Sequence, residues 1–385
     1  MKTPLAWLNL AHYKMRTLAA VAGVAFSVVL IFMQLGFLGS VETTASLLFD
    51  ALRFDLMLRS PQYLHMAAPG TFPRDRLCQA ASMPGVETAS PFCLGVNQWR
   101  NPHSGQKRRI LAMGVRPEDH VFEVEEIQQK AARELVAPEF VLVDRQSRHE
   151  FGPRNGKRFG SDDIGLEAEV GSRRVRVVGH FCLGGGFAAD GAILLGERGF
   201  RRIYPGSSPD EVSLGLLKLE DGADAEAIAA RLGKVLPKDV EVLTRREALK
   251  RERERWVNET SVGIIFRLGV AVALVVGTAI VYQVLSSDVA NHLTEYATLK
   301  AIGYSSGFVA GVVLRQAVAL AVLGFVPGLV LSELLYRLTA QMANIPMAMT
   351  PQRIVSVLAL AVAMCTVSGL GAVRKLRSAD PADLF

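Results

Sequence analysis

Glu295 and Lys300 place a carboxylate and an amine in EYATLKAIGY (Glu295–Tyr304), between two long apolar runs. Such a mixed surface suits docking against another protein. The material for catalysis elsewhere is thin. GPRNGKR (Gly152–Arg158) is one residue short between its glycines for a phosphate-binding loop, and Arg158 stands where a Ser or Thr must follow the lysine. LGGGF (Leu183–Phe187) lacks the strand-turn-helix setting of a dinucleotide loop and reads as a tight turn. The seven histidines are scattered, with no His-Glu-x-x-His and no ligand-spaced cluster. No catalytic residue, no metal site and no cofactor bound by this chain is expected. Of the four cysteines, Cys78, Cys93 and Cys182 share one polar segment and Cys365 lies in an apolar run. Three thiols make no disulfide framework, which leaves a single Cys78–Cys93 bridge or buried free thiols as the two readings.

The elements that hold these residues begin with membrane spans. Half of the 385 residues are hydrophobic and 21% are charged, below the share usual in a soluble domain. Charge-free stretches of about 18 residues can cross the hydrocarbon layer as helices. Thr17–Val41, Leu268–Leu285 and Ile354–Val373 qualify, and Phe308–Leu335 qualifies apart from Arg315 and Glu333 near its ends. Those two charges either snorkel to headgroups or make a polar contact inside the bundle. The first run is too long for a signal-peptide core and reads as a retained span.

Lys2, Lys14 and Arg16 precede the first span, and Arg374, Lys375 and Arg377 follow the last. The excess of basic residues predicts both termini on the cytoplasmic side. The expected order is a cytoplasmic segment 1–16, span 17–41, external domain 42–261, span 262–285, cytoplasmic loop 286–307, span 308–335, external loop 336–353, span 354–373 and cytoplasmic tail 374–385. The net charge of +6 then serves topology, and without an aromatic-basic module nucleic acid is not an expected partner.

The fold class is membrane α-helical, with four transmembrane helices and a large mixed α/β domain inserted between helices 1 and 2. FVLVD (Phe140–Asp144), RRVRVVGHF (Arg173–Phe181) and AILL (Ala192–Leu195) read as strands, and Ala223–Leu236 as a helix ending before Pro237. Thr244–Trp256 is a charge-dense helix former that runs into the second span, either a solvated face or a stiff lever. Small-xxx-small spacing in GFVPG (Gly324–Gly328) predicts close helix packing with a kink at Pro327. In the loop, Leu293, Tyr296, Leu299 and Ile302 recur at three-residue steps, with His292, Glu295 and Lys300 intruding. That amphipathicity is too weak for a membrane-surface helix.

VYQVLSSDVANHLTEYATLKAIGY (Val281–Tyr304) resembles the most distinctive stretch of the DevC-type permeases, within the MacB/FtsX-like ABC exporter permease superfamily. MCTVSGLGAVRKLRSADPADLF (Met364–Phe385) is similar to that branch's ending, and MPGVETASP, FAADGAILL and LPKDVEVLT to its recurring domain phrases. The resemblance implies a non-catalytic permease subunit of a bacterial inner membrane with a periplasmic domain after the first span. It implies a homodimer in the lipid bilayer and a separate ABC ATPase that holds ATP and Mg. A periplasmic membrane-fusion adaptor, a TolC-like outer-membrane channel and a glycolipid cargo are implied by the DevC branch. The ATPase-docking coupling helix would comprise Leu293, Glu295, Tyr296, Thr298, Leu299, Lys300, Ile302 and Gly303. The rival readings are an FtsX-like mechanotransmitting regulator of periplasmic enzymes, which transports nothing, and a membrane receptor with an external ligand domain.

Overall fold

The computed structural model describes residues 14–184, 190–291, 298, 302–343 and 345–378. The chain forms two compact units, Val41–Thr260, and Met1–Ser40 with Ser261–Phe385.

The first of these begins inside a helix. Helix α1 (Lys14–Ala51) continues past the expected span end at Val41, because Val41, Ala45, Leu48 and Phe49 stay buried at helical spacing within the domain core. A hydropathy window stops at Glu42, but a helical ladder tolerates exposed charges on its outer face.

The sheet strands are β1 (Leu56–Arg59), β3 (Val86–Arg100), β4 (Lys107–Val115), β5 (Phe140–Asp144), β6 (Glu167–Val170), β7 (Arg173–Phe181), β8 (Ala192–Gly196), β10 (Leu214–Leu219) and β11 (Glu241–Thr244). Their order is β11-β1-β10-β3-β4-β8-β5-β7-β6, and the short β2 (Phe72–Pro73) pairs apart with β9 (Glu211–Val212). The long strand β3 belongs to two lobes. Its first half, Val86–Phe92, pairs with β10, and its second half, from Cys93, pairs with β4. Pro91, which has no N–H for a ladder, stands just before the handover. Beyond it the Leu94 N–H donates to Ser213 Oγ at 3.0 Å, and that hydroxyl donates to the Leu94 carbonyl at 3.1 Å. One side chain thus satisfies the backbone groups left by the departing strand.

In the distal lobe, pairing of Trp99 with Val170 and Arg100 with Glu169 joins β3 to β6. Strands β3-β4-β8-β5-β7-β6 therefore close on themselves, and the ring has no open edge. Trp99 is fully buried inside it, its Nε1 donating to the Phe151 carbonyl at 2.9 Å. In the other lobe, Leu56 and Leu58 face α2 (Asp75–Ala81) and α5 (Ala225–Val235), while Met57 joins Leu48 and Phe49 in a second core. That is the two-residue alternation of a strand buried on both faces. The remaining helices are α3 (Glu125–Glu134), α4 (Glu197–Ile203) and α6 (Arg245–Asn258). All four cysteines are free thiols. Cys93 is buried within β3 and Cys78 is exposed, so neither reading of this pair held throughout.

The other unit holds α1 up to Ser40, α7 (Ser261–Asn291), α8 (Ser306–Ala343) and α9 (Pro351–Ser378). Among the described residues, four helical stretches are long and apolar enough to cross a membrane: Thr17–Ala51, Ser261–Asn291, Ala310–Met342 and Pro351–Arg374. Close packing at the glycine pair is present. A Cβ on Gly324 would lie 2.5 Å from Val24 Cβ, and one on Gly328 2.7 Å from Val28 Cγ1. Both glycines thus let α8 approach α1 to backbone distance. Arg315 is exposed, and half-buried Glu333 accepts from Arg337 Nε at 2.9 Å, so Glu333 spends its charge within its own helix.

Candidate functional site

Of the residues expected to dock a partner, Leu293, Glu295, Tyr296, Leu299 and Lys300 lie outside the described residues. Thr298 is helical, and the Ile302 N–H donates to its carbonyl at 3.0 Å, a helical i to i−4 bond. Gly303 follows at φ +104°, a left-handed conformation that ends a helix without Cβ strain. Ser305 then opens α8, its Oγ accepting from the Phe308 N–H at 3.3 Å. The two signals are two residues apart, which defines a tight corner at the start of α8.

That corner is apolar and open. Ile302 is 71% exposed, and the rings of Tyr304 and Phe308, both also exposed, lie 4.8 Å apart by centroid. Tyr304 and Phe308 thus lie exposed just beyond Gly303, where the expected docking segment ends. Phe308 was assigned to the span because hydropathy cannot distinguish an apolar side chain at a helix start from one in lipid.

The second element is α6. It is no fully solvated face: Ala248, Glu252 and Trp256, spaced i, i+4 and i+8, are buried. Glu252 organises the contact. Its Oε2 accepts from Tyr63 Oη at 2.9 Å, and its Oε1 accepts from Trp256 Nε1 at 2.9 Å and the Met66 N–H at 3.2 Å. Three donors compensate a carboxylate taken out of water, yet burial still raises its pKa. Burial and the neighbouring Glu252 charge likewise hold the Tyr63 phenol well above its usual range. Arg255 donates to the Tyr63 and Leu64 carbonyls at 2.5 and 2.8 Å. Thr244 and Glu247 form a capping box at the start of α6, so Glu247 is engaged there; Arg251 pairs with Glu241 at 3.6 Å.

The helix is also tied to the chain segment that enters the domain. Arg253 Nη2 donates to Ser46 Oγ at 3.0 Å, and Arg245 Nη1 and Nη2 donate to the Leu52 and Asp50 carbonyls at 2.6 and 3.2 Å. Entry and exit segments are therefore fastened side by side within one domain. No Asp, Glu, His and Cys cluster suited to a metal occurs among the described residues.

Residues 267–381 match the FtsX-like permease C-terminal family. No curated protein matches the chain. Among solved structures, the chain is similar to the periplasmic region of MacB from Actinobacillus actinomycetemcomitans, at 10% identity and a TM-score of 0.36, covering 55% of this chain and 96% of that one. It is also similar to the extracellular domain of the noncanonic ABC-type transporter YknZ from Gram-positive bacteria, at 11% identity and a TM-score of 0.33, covering 50% of this chain and 99% of that one.

Proposed function

We propose that this multi-pass membrane protein, which carries an FtsX-like permease C-terminal domain, is the transmembrane subunit of a MacB-like ABC exporter. The match over residues 267–381 carries the reading, because that segment covers the three later membrane helices, apart from the first six residues of the earliest, and the proposed docking corner. In the proposed cycle, a separate cytoplasmic ATPase binds the segment Leu293–Gly303 together with Tyr304 and Phe308. ATP and Mg stay in that partner. Two copies of the chain form the membrane part, with both termini cytoplasmic and the Val41–Thr260 domain in the periplasm.

Closure of the ATPase would move the spans, and the fastened pair of α1 and α6 would pass that motion to the domain. Export would then run through a membrane-fusion adaptor and a TolC-like outer-membrane channel, with a glycolipid as the cargo class. The supporting observation for this mechanical route is that Arg245 and Arg253 hold the entry and exit segments to each other. A clamped pair cannot shear freely, so displacement at either segment reaches the sheet.

The test is a mild-detergent pull-down of tagged protein from native membranes, followed by mass spectrometry. An ATP-binding subunit with a periplasmic adaptor is the expected result. An ATPase with a cell-wall hydrolase would replace export by mechanical regulation, and recovery of no ATPase would overturn both.

A further inference from the structure

The outward face of the closed ring carries charges that a sheet does not need for its own stability. Register places Arg100 of β3 directly opposite Lys107 of β4 on one side and Glu169 of β6 on the other, and sets Glu169 opposite Arg174 of β7. Directly paired residues share a face, and because Trp99 is buried inside the ring, its neighbour Arg100 and the residues paired with it point outward. The same face holds Gln98 opposite Arg109, and Glu167 opposite Arg176. Five cations thus stand among two carboxylates on four adjacent strands, a balance of +3.

Both carboxylates are already engaged. Glu169 accepts from Arg100 at 3.1 Å, and Glu167 accepts from Arg176 at 2.9 Å. Among the described residues no carboxylate lies within 4.0 Å of Lys107, Arg109 or Arg174, and all three are exposed. The Arg100–Lys107 pair sets two cations opposite each other with Cβ atoms about 5 Å apart, closer than the roughly 8 Å over which physiological salt screens. Like charges in that position destabilise a sheet, so the ladder itself gives Lys107 no reason to be a cation.

A groove of about 450 Å³ opens between the β3–β4 turn and β6, with Arg100, His103, Glu167, Glu169 and Arg174 among its walls. The turn that forms its rim is held in place. Buried Asn101 accepts from the His103 and Ser104 N–H groups at 2.8 and 3.0 Å, and its Nδ2 donates to the Glu150 carbonyl at 2.8 Å. A rim fixed in this way presents the exposed His103 without having to order on contact, which keeps the entropic cost of docking low. A continuous polyanion would meet Glu167 and Glu169 inside the groove. A folded protein can set carboxylates against the free cations and donors against those two acids, the complementarity that a mixed lining requires.

We propose that this face of the ring is the docking surface for an acidic loop of a soluble protein partner, whose carboxylates reach Lys107, Arg109 and Arg174 and one of whose side chains enters the groove. The identity of that partner as the adaptor rests on the exporter reading; the charge it must carry does not. Contact through exposed cations of this kind forms faster at low salt and weakens as salt rises.

The test uses full-length protein in intact cells, with a photoreactive amino acid in place of Gln98, the exposed neutral residue opposite Arg109. After irradiation, mass spectrometry is expected to find one soluble protein crosslinked through a peptide rich in Asp and Glu. Lys107→Gln with Arg109→Gln and Arg174→Gln should cut the yield about eightfold, roughly a factor of two for each exposed ion pair lost. Lys107→Arg with Arg109→Lys and Arg174→Lys should preserve it. Melting of the Gln variant, followed by circular dichroism, should be unchanged or raised, since a like-charge pair is relieved. A clear fall would show that these cations serve the sheet and would overturn the proposal. So would an equal yield in the Gln variant, a crosslinked peptide without acidic residues, or adducts to lipid or polysaccharide alone. If the acidic peptide belongs to a cell-wall hydrolase, the surface stands and the exporter reading falls. If the adaptor co-purifies yet does not crosslink here, the exporter reading stands and the surface falls.

Discussion

Arg253 on α6 donates to Ser46 on α1 across 3.0 Å, joining the segment by which the chain leaves the domain to the one by which it enters. The same guanidinium lies 3.8 Å from Asp50, and Arg245 donates to the Asp50 and Leu52 carbonyls at the C-terminal end of α1. The segments by which the chain enters and leaves the domain are thus joined by several hydrogen bonds within it.

The clamp predicts a split between stability and coupling. Arg245→Ala leaves the Leu52 carbonyl without a buried donor, at a cost of about 1–3 kcal/mol, and should lower the melting temperature. Arg253→Ala removes a half-exposed contact worth about 0.5 kcal/mol and should leave melting nearly unchanged. Thermal denaturation followed by circular dichroism separates them, and equal losses would contradict the assignment of Arg245 as the principal fastener.

Glu252 predicts a pH dependence. Its folded pKa is raised above the unfolded value, so its contribution to stability is fully present below the unfolded pKa and lost as pH rises through the folded pKa. Glu252→Gln stays neutral throughout. The melting temperature of the Gln variant relative to the unsubstituted protein should therefore be highest near pH 7.5 and fall toward pH 4.5. A difference that is flat with pH would show that Glu252 does not titrate with a raised pKa.

Thiol chemistry should separate the domain cysteines. Burial pushes the Cys93 thiol up to about 12, whereas Cys78 and Cys182 are exposed. Maleimide added to native protein should label Cys78 and Cys182 within minutes and reach Cys93 only after denaturation. A Cys78–Cys93 disulfide on mapping would contradict the free-thiol assignment.

Gly324→Val should be severely disruptive, because its side chain would occupy the space of Val24. Overpacking of this kind costs about 1–3 kcal/mol or more, read as loss of monodisperse protein on size-exclusion chromatography. Gly311→Ala, with nothing within 4 Å, is the control and should behave normally.

The docking corner predicts a loss of partner. Leu299→Asp with Ile302→Asp should insert normally yet fail to retain the ATPase, since two charges would be forced into the contact. Tyr304→Asp should act in the same direction, because its ring extends the exposed apolar corner with Phe308. Normal co-purification of the ATPase with both variants would remove the docking assignment.

Much of the architecture was written in local pattern. Apolar runs long enough to cross a bilayer, the strands FVLVD and RRVRVVGHF, and the glycine pair 324 and 328 each depend on neighbours within a few residues. So did the corner, where Ile302, Gly303 and Ser305 combine a helix end and a helix start. Tertiary structure decided the rest. The closure of β3 onto β6 joins Trp99 to Val170, a pairing that no local period announces. The role of α6 was hidden for a related reason: Glu252 is one of several charges in TRREALKRERERW, and only Tyr63, Met66 and Trp256 converging on it make it the buried one. Hydropathy and spacing report what a residue prefers, whereas burial of a charge depends on which donors the fold brings to meet it.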